Sequence, residues 1–167
     1  QFLYKKLKMK IKKINIISTL SLLLIMSFIF GFLINENSAG GGEGDFGHIL
    51  NNYQLIFGNF FADIDWSKYR DSRFPLDYFI FKLYLPIDPN IWRYNVFLIS
   101  LLTPLVLFFV LKNKNLSLEN QLLSNKYILF LSLFLFLSPY FRTSAFWLLR
   151  ENFGYLLWII SIFFLFN

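Results

Sequence analysis

Residues 14–34 read INIISTLSLLLIMSFIFGFLI, a run of 21 residues that carries no charge. A helix rises about 1.5 Å per residue, so about 20 residues cross the roughly 30 Å of hydrocarbon in a bilayer. The run is rich in Leu, Ile and Phe, which suit a lipid environment. The sequence therefore predicts a first transmembrane span over residues 14–34.

Three further apolar runs predict three more spans, so we expect an all-α membrane protein with about four transmembrane helices. The second span covers residues 94–111, and a short third span covers residues 127–141, which include Ser138-Pro139. Residues 152–167 form a fourth span that stops at the last residue. Because the chain starts with Gln1 rather than Met and ends inside an apolar run, we interpret it as the N-terminal fragment of a longer membrane protein.

The composition agrees with a bilayer as the solvent. Of the 167 residues, 56% are hydrophobic, 22% are aromatic and 16% are charged, whereas a soluble domain is about 45–50% apolar and about 25% charged. This composition disfavours a soluble enzyme and a disordered chain. The chain has no Cys, which excludes thiolate catalysis, thiolate metal sites and a disulfide-stapled secreted domain.

The distribution of charge predicts how the spans are oriented. Six lysines and no acid precede the first span, and basic residues also outnumber acids between spans two and three. The positive-inside rule places both segments in the cytoplasm, which leaves residues 35–93 as a long outside loop and residues 140–151 as an outside turn. We expect a bacterial inner-membrane protein with a cytoplasmic N-terminus. The net charge of +6 then reflects orientation and contact with anionic lipid, not nucleic-acid binding.

A cleaved signal peptide is the alternative for residues 1–39. The basic start and Asn37-Ser38-Ala39 fit such a signal loosely. The apolar core of a signal peptide has about 7–15 residues, however, and this run is longer. We therefore favour a span that is retained.

The long outside loop holds the candidate chemistry. Residues 37–48 combine several glycines with Glu43 and Asp45, a loop composition that allows tight turns and a close approach to a ligand. Helical spacing of apolar residues then predicts an amphipathic helix on the membrane surface, and residues 74–82 predict a second one. The apolar positions of the first helix are Ile49, Leu50, Tyr53, Ile56, Phe57, Phe60 and Phe61.

Two interpretations of Glu43 and Asp45 stay open. They are solvated residues of a glycine-rich loop, or one of them is a general base for an acceptor hydroxyl at the membrane surface. Such a base needs a cation to hold an anionic leaving group, and Arg pairs bidentately with phosphate. His48, the single His, is more typical of a solvated residue than of a catalyst. The candidate arginines are Arg70, Arg73, Arg142 and Arg150.

The position of Arg142 is unusual for a residue that follows a span. Only 15 residues separate it from Lys126, which is too few for a complete crossing. The third span is therefore short, bent at Pro139, or places Arg142 at partial membrane depth. Ionisable groups at such depth are costly and commonly functional. The alternative is that Arg142 and Arg150 snorkel to the lipid headgroups.

The layout of the chain is one span and then a long outside loop, with an acidic motif near the start of that loop. This layout resembles the GT-C type integral-membrane glycosyltransferases, in the dolichyl-phosphate-mannose mannosyltransferase and aminoarabinose transferase group. Glu43-Gly44-Asp45 stands where that group has an uninterrupted acidic pair. The sequence RFPLDY at residues 73–78 resembles the group's Pro-centred motif, and Arg93 resembles its Arg at the start of span two. Ser138-Pro139 and Glu151-Asn152 resemble its motifs around spans three and four.

The resemblance implies a glycosyltransferase that moves a sugar from a polyprenyl-phosphate donor to a lipid, glycan or protein acceptor. It implies Asp45, or else Glu43, as the catalytic base. No cofactor or nucleic-acid partner is expected, and a divalent metal ion stays an alternative without assigned ligands. A polysaccharide-lipid transporter or flippase and a polysaccharide polymerase are the alternative functions. The candidate substrate-binding residues are Arg142, Arg150, Arg73, Glu151 and His48.

Overall fold

In the computed structural model, residues 2–57, 63–69, 78, 88–117, 123–149 and 151–165 are described, and every regular element among them is a helix. This confirms the all-α prediction for the described part of the chain. Two short 3-10 helices cover Trp66–Lys68 and Leu133–Leu137. The α-helices are α1 (Phe2–Leu33), α2 (Gly42–Phe57), α3 (Pro89–Ser117), α4 (Asn125–Ser132), α5 (Pro139–Phe146) and α6 (Glu151–Leu165).

Two helical segments are long and apolar enough to cross a membrane: Ile16–Leu33 in α1 and Asn90–Lys114 in α3. A third candidate is broken, because Asn125–Leu137 and Pro139–Phe146 meet at 71°. The helix α6 has 15 residues, which is shorter than a full crossing requires. Against the four predicted spans, the described residues thus contain two helices that are able to cross a membrane by length and composition, or three if the bent pair counts as one. Residues 166–167 of the predicted fourth span lie outside the described part.

The break between α4 and α5 follows from Ser138-Pro139. Proline has no N–H and its ring clashes with a preceding helical carbonyl, so it ends one helix and suits the first turn of the next. Ser138 adopts an extended backbone, and its side chain accepts a hydrogen bond from the Phe141 N–H at 3.3 Å. The chain bends at Pro139, which was one of the three alternatives for Arg142, and Arg142 lies on α5 after the bend.

An aromatic core holds α1, α3 and α5 together. Phe28 of α1 stacks on Phe136, and Phe32 stacks on Phe97 of α3, each with ring centroids 4.1 Å apart. Such ring pairs contribute about 0.5–1.5 kcal/mol beyond the burial of their area. The buried members of this cluster are Phe28, Phe32, Phe97, Leu133, Phe136, Phe141, Ala145 and Phe146.

The predicted amphipathic helix exists as α2, and its apolar face packs against protein. Ile49, Tyr53 and Ile56 are buried in a second cluster with Trp92 and Val96 of α3. Phe60 and Phe61 lie outside the described residues, as does most of the predicted helix at 74–82. From that segment Tyr78 is described, and it is buried in the same cluster.

The helix α2 begins at Gly42, so the prediction that residues 42–48 form a glycine-rich loop is wrong. Gly40 and Gly41, with φ of 76° and 74°, make the turn that precedes it. The Gly42 N–H donates to the Asn37 Oδ1 at 3.1 Å, and acidic residues in the first turn favour helix formation through the backbone dipole. Glu43 and Asp45 are therefore helical.

Large apolar side chains cover the outer surfaces of α1 and α3. Leu22 and Phe30 of α1 are about 60% exposed, and so is Phe109 of α3. A soluble monomer rarely exposes apolar patches of this extent, and a bilayer accepts them without cost. The surface therefore supports a location in the membrane.

Candidate functional site

The candidate site lies at one end of the bundle, where α1 ends, α2 and α3 begin, and α5 crosses; we call this the loop end. A Schellman turn terminates α1 there. Asn35 adopts a left-handed backbone with φ of 55°, its N–H donates to the Phe32 carbonyl, and the Glu36 N–H donates to the Gly31 carbonyl at 2.9 Å. Asn tolerates this conformation at a helix C-terminus. The turn returns Glu36 to the side of α1.

Glu36 forms a bidentate ion pair with Arg142 of α5. The Arg142 Nε donates to Oε1 of Glu36 at 2.8 Å, and its Nη2 donates to Oε2. The remaining N–H groups donate to the Phe136 carbonyl and to the hydroxyl and carbonyl oxygens of Ser27. All five donors of a guanidinium are thus used within the protein. Arg142 is only 8% exposed.

Gly31 leaves the space that this ion pair occupies. A Cβ atom at Gly31 would overlap both the Arg142 guanidinium and the Glu36 carboxylate, and would lie 2.8 Å from the Phe146 ring. The hydrogen bond from Arg142 lowers the pKa of Glu36 and outweighs the opposing effect of burial. The carboxylate therefore stays ionised opposite the guanidinium.

Further hydrogen bonds attach the segment after α1 to α5. The Ala39 N–H donates to the Thr143 Oγ1 at 3.0 Å, and the Trp147 Nε1 donates to the Glu36 carbonyl at 2.9 Å. A Cβ atom on Gly42 would lie 2.7 Å from both Thr143 and Trp147, so the start of α2 rests directly on α5 and the residue after it. These contacts fix where the acidic turn of α2 lies.

The predicted catalytic residues Glu43 and Asp45 lie in that first turn and are exposed. His48 is exposed one turn later on the same helix, three residues after Asp45. Within the described ranges, neither carboxylate takes part in a hydrogen bond or an ion pair through its side chain. The described residues also contain no group of three or more His, Asp or Glu that could hold a metal ion.

The predicted substrate-binding residues are not all brought together. Arg142 is close to the start of α2 but directs its guanidinium at Glu36. Glu151, in the first turn of α6, is exposed, and its Oε2 accepts a hydrogen bond from the Ser144 hydroxyl at 3.3 Å. Arg70, Arg73 and Arg150 lie outside the described residues.

Asn152, the neighbour of Glu151, is fully buried and connects three helices. Its Nδ2 donates to the Ser100 Oγ of α3 at 2.7 Å and to the Phe141 carbonyl of α5 at 3.0 Å. This buried amide therefore fixes α6 against the other two helices.

A second arginine at the loop end, Arg93 of α3, has a different environment. Its Nε donates to the Phe146 carbonyl and its Nη2 donates to the Asn35 Oδ1. The guanidinium carbon lies 5.0 Å from the centre of the Phe32 ring and 5.2 Å from that of Trp147. Cation–π contacts at these distances are attractive.

Sequence reasoning did not assign a role to Glu36, and it identified Arg93 only through the resemblance. A local signal exists for Glu36, because Gly31 and Asn35 at the end of an apolar run fit a Schellman turn. Its partner Arg142 is 106 residues away, and no local pattern indicates that pairing. Comparisons of the chain with protein-family models, curated proteins and solved structures found no match. The functional argument therefore rests on the geometry of the loop end.

Proposed function

We propose that this protein is a membrane glycosyltransferase that moves a sugar from a polyprenyl-phosphate donor to a lipid, glycan or protein acceptor. The observation that supports it best is the acidic turn of α2, where Glu43 and Asp45 face solvent directly beside the apolar helices. An acceptor hydroxyl and a lipid-borne donor can meet a carboxylate at such a boundary. The positive-inside rule favours the outer face for this turn and the cytoplasm for the N-terminus.

In the proposed reaction, Asp45 accepts the proton of the acceptor hydroxyl while the hydroxyl oxygen attacks the anomeric carbon of the sugar. The bond between that carbon and the phosphate oxygen breaks, and the lipid phosphate leaves with the electron pair. A general base contributes about 10²–10⁴-fold to such a step. A cation near the departing phosphate stabilises the charge that develops there.

Arg142 is one of the candidates for that cation, but its five N–H groups are engaged by Glu36, Ser27 and Phe136. Its contribution in this proposal is positional, because the Glu36–Arg142 pair holds the segment that leads into α2. The arginine that holds the phosphate is then another one, and Arg73 and Arg150 stay candidates on sequence grounds.

The test replaces the proposed base without changing its size. In membranes that contain the protein, we expect Asp45→Asn to lower sugar transfer from labelled polyprenyl phosphate by about 10²–10⁴-fold. Glu43→Gln tests whether the second carboxylate is the base instead. Asp63→Asn, at an exposed Asp, is the matched control for Asp45→Asn. Full activity of the double variant Glu43→Gln/Asp45→Asn would exclude the carboxylate mechanism.

A polysaccharide-lipid transporter or flippase is a second candidate, because broken helices and buried charges are common in transporters. The 71° break before α5 and the Glu36–Arg142 pair after it are features of this kind. Reconstituted vesicles separate the two functions. A transporter moves an intact labelled glycolipid between leaflets, whereas a transferase releases free polyprenyl phosphate.

A further inference from the structure

Among the residues that the structure describes, Arg93 has no acidic partner, in contrast to Arg142. Its hydrogen bonds go to the Phe146 carbonyl and to Asn35, both neutral, and they use two of its five N–H groups. In the ranges that the structure describes, no carboxylate forms an ion pair with it. A cation at the end of a membrane helix is costly to leave uncompensated. An external anion would supply the missing charge.

Arg93 lines a small open cavity. This cavity has a volume of about 120 Å³ and lies between the end of α1 and the start of α3. Its polar lining supplies amide and guanidinium donors but no carboxylate. The lining residues are Phe32, Leu33, Asn35, Asn90, Arg93 and Tyr94.

The cavity opens beside the apolar outer surface of the bundle. Leu33 and Tyr94 at its rim are 69% and 58% exposed, and Ile34 is 56% exposed next to them. Asn35 and Asn90 are exposed as well, so polar and apolar side chains meet at the cavity. This combination suits a ligand whose charged group is attached to a hydrocarbon chain.

We infer that this cavity binds the phosphate group of an anionic membrane lipid, whose hydrocarbon chains lie along the exposed apolar faces of α1 and α3. Arg binds phosphate with two parallel N–H groups. The rings of Phe32 and Trp147 and the two neutral hydrogen bonds orient the guanidinium plane for that contact. The inference does not require the protein to be a glycosyltransferase.

The test measures lipid binding to the purified full chain by native mass spectrometry after removal of co-purified lipid. The probes are phosphatidylglycerol, a long-chain polyprenyl phosphate and zwitterionic phosphatidylcholine, with inorganic phosphate as a competitor. We expect at least one of the two anionic lipids to bind about tenfold more tightly than phosphatidylcholine, and inorganic phosphate to compete only weakly. If one of the two anionic lipids binds more tightly than the other, that lipid is identified as the source of the phosphate. Either preference supports the site.

Variants locate the binding. Losing a charge-assisted phosphate contact in Arg93→Gln should weaken binding about 10- to 100-fold. Arg93→Gln also removes two internal hydrogen bonds, so a second variant is needed. Asn90→Leu changes the exposed side of the cavity, leaves those bonds intact and should weaken binding about fivefold. Lys112→Gln, near the opposite end of α3, is the matched charge control and should bind normally.

Three results would overturn the inference. Equal affinity for anionic and zwitterionic lipids would show that the net charge of the lipid does not contribute to binding. An equal loss in Lys112→Gln and Arg93→Gln shows unspecific attraction of lipid to any cation. Inorganic phosphate that binds as tightly as the lipids removes the role of the hydrocarbon chain.

Discussion

Arg142 and Arg93 lie at the same end of the bundle, and their surroundings give them opposite roles. Arg142 is saturated by a bidentate carboxylate and three oxygen atoms inside the protein. Arg93 has neutral partners and lines a small cavity. Removing one member of a buried ion pair costs about 3–5 kcal/mol because the other charge is left unpaired. Loss of function in an Arg142 variant therefore needs a check of folding first.

The ion pair predicts how stability depends on pH. Because the pKa of Glu36 is lowered in the folded protein, its contribution is present above the ordinary carboxyl pKa and is lost as the pH falls through the folded value. We expect Glu36→Gln to lower the free energy of unfolding at pH 7 by about 3 kcal/mol, the lower end of the buried range, since the Glu36 side chain is 26% exposed. Unfolding in detergent, followed between pH 7 and pH 3, measures both effects.

The exposed Glu43 provides the control for this experiment. Glu43→Gln should change the free energy of unfolding by less than about 0.5 kcal/mol. The stability gap between the wild type and Glu36→Gln should narrow in acid, because both then lack the carboxylate charge. A gap that stays constant with pH would show that Glu36 does not act through its charge.

Two helical glycines make a matched pair for testing the packing around Arg142. At Gly31 an added Cβ collides with the ion pair, whereas at Gly44 it meets nothing within 4 Å. We expect Gly31→Ala to destabilise the protein by about 1–3 kcal/mol. Gly44→Ala should be neutral or stabilise α2 by up to about 1 kcal/mol. Thermal unfolding compares them, and equal effects would contradict the close approach at Gly31.

At the scale of single elements, local signals predicted some helices and failed for others. The apolar runs predicted the spans in α1 and α3 because length and composition alone decide whether a helix can cross a bilayer. Ser138-Pro139 made the break one of three alternatives, because the effect of proline on a helix is local. The start of α2 was predicted wrongly, since Gly42 and Gly44 suggest a loop unless the contact between Gly42 and α5 is known.

The cap of α5 gives a prediction at this scale. Ser138 accepts the hydrogen bond from the Phe141 N–H, so Ser138→Ala should lower the free energy of unfolding by about 1 kcal/mol. Ser138→Asp keeps an acceptor at the cap and should preserve most of the stability. If both variants are equally destabilised, the hydrogen bond at the cap contributes little, and the bend depends on Pro139 alone.

At the scale of the whole molecule, long-range pairings decide what the local patterns could not. The short distance from Lys126 indicated an unusual position for Arg142. The sequence did not show the acidic partner of its guanidinium, so Arg142 was also a candidate for binding phosphate. Glu36 supplies that partner across 106 residues of sequence. Asn152, buried between α3 and α5, is another residue whose role emerges only from packing. Composition therefore predicted the fold class, while the site depends on contacts between distant segments.

The separation between Glu36 and Arg142 also sets an order of events during synthesis. A ribosome adds about 5–20 residues per second, so Glu36 emerges roughly 5–20 s before the guanidinium that will neutralise it. During that interval the first helix can enter the bilayer. The carboxylate of Glu36, which follows this helix, then has only water or lipid headgroups as partners. The ion pair can close only after α5 has been synthesised, so the loop end is completed after α1, α2 and α3 have left the ribosome.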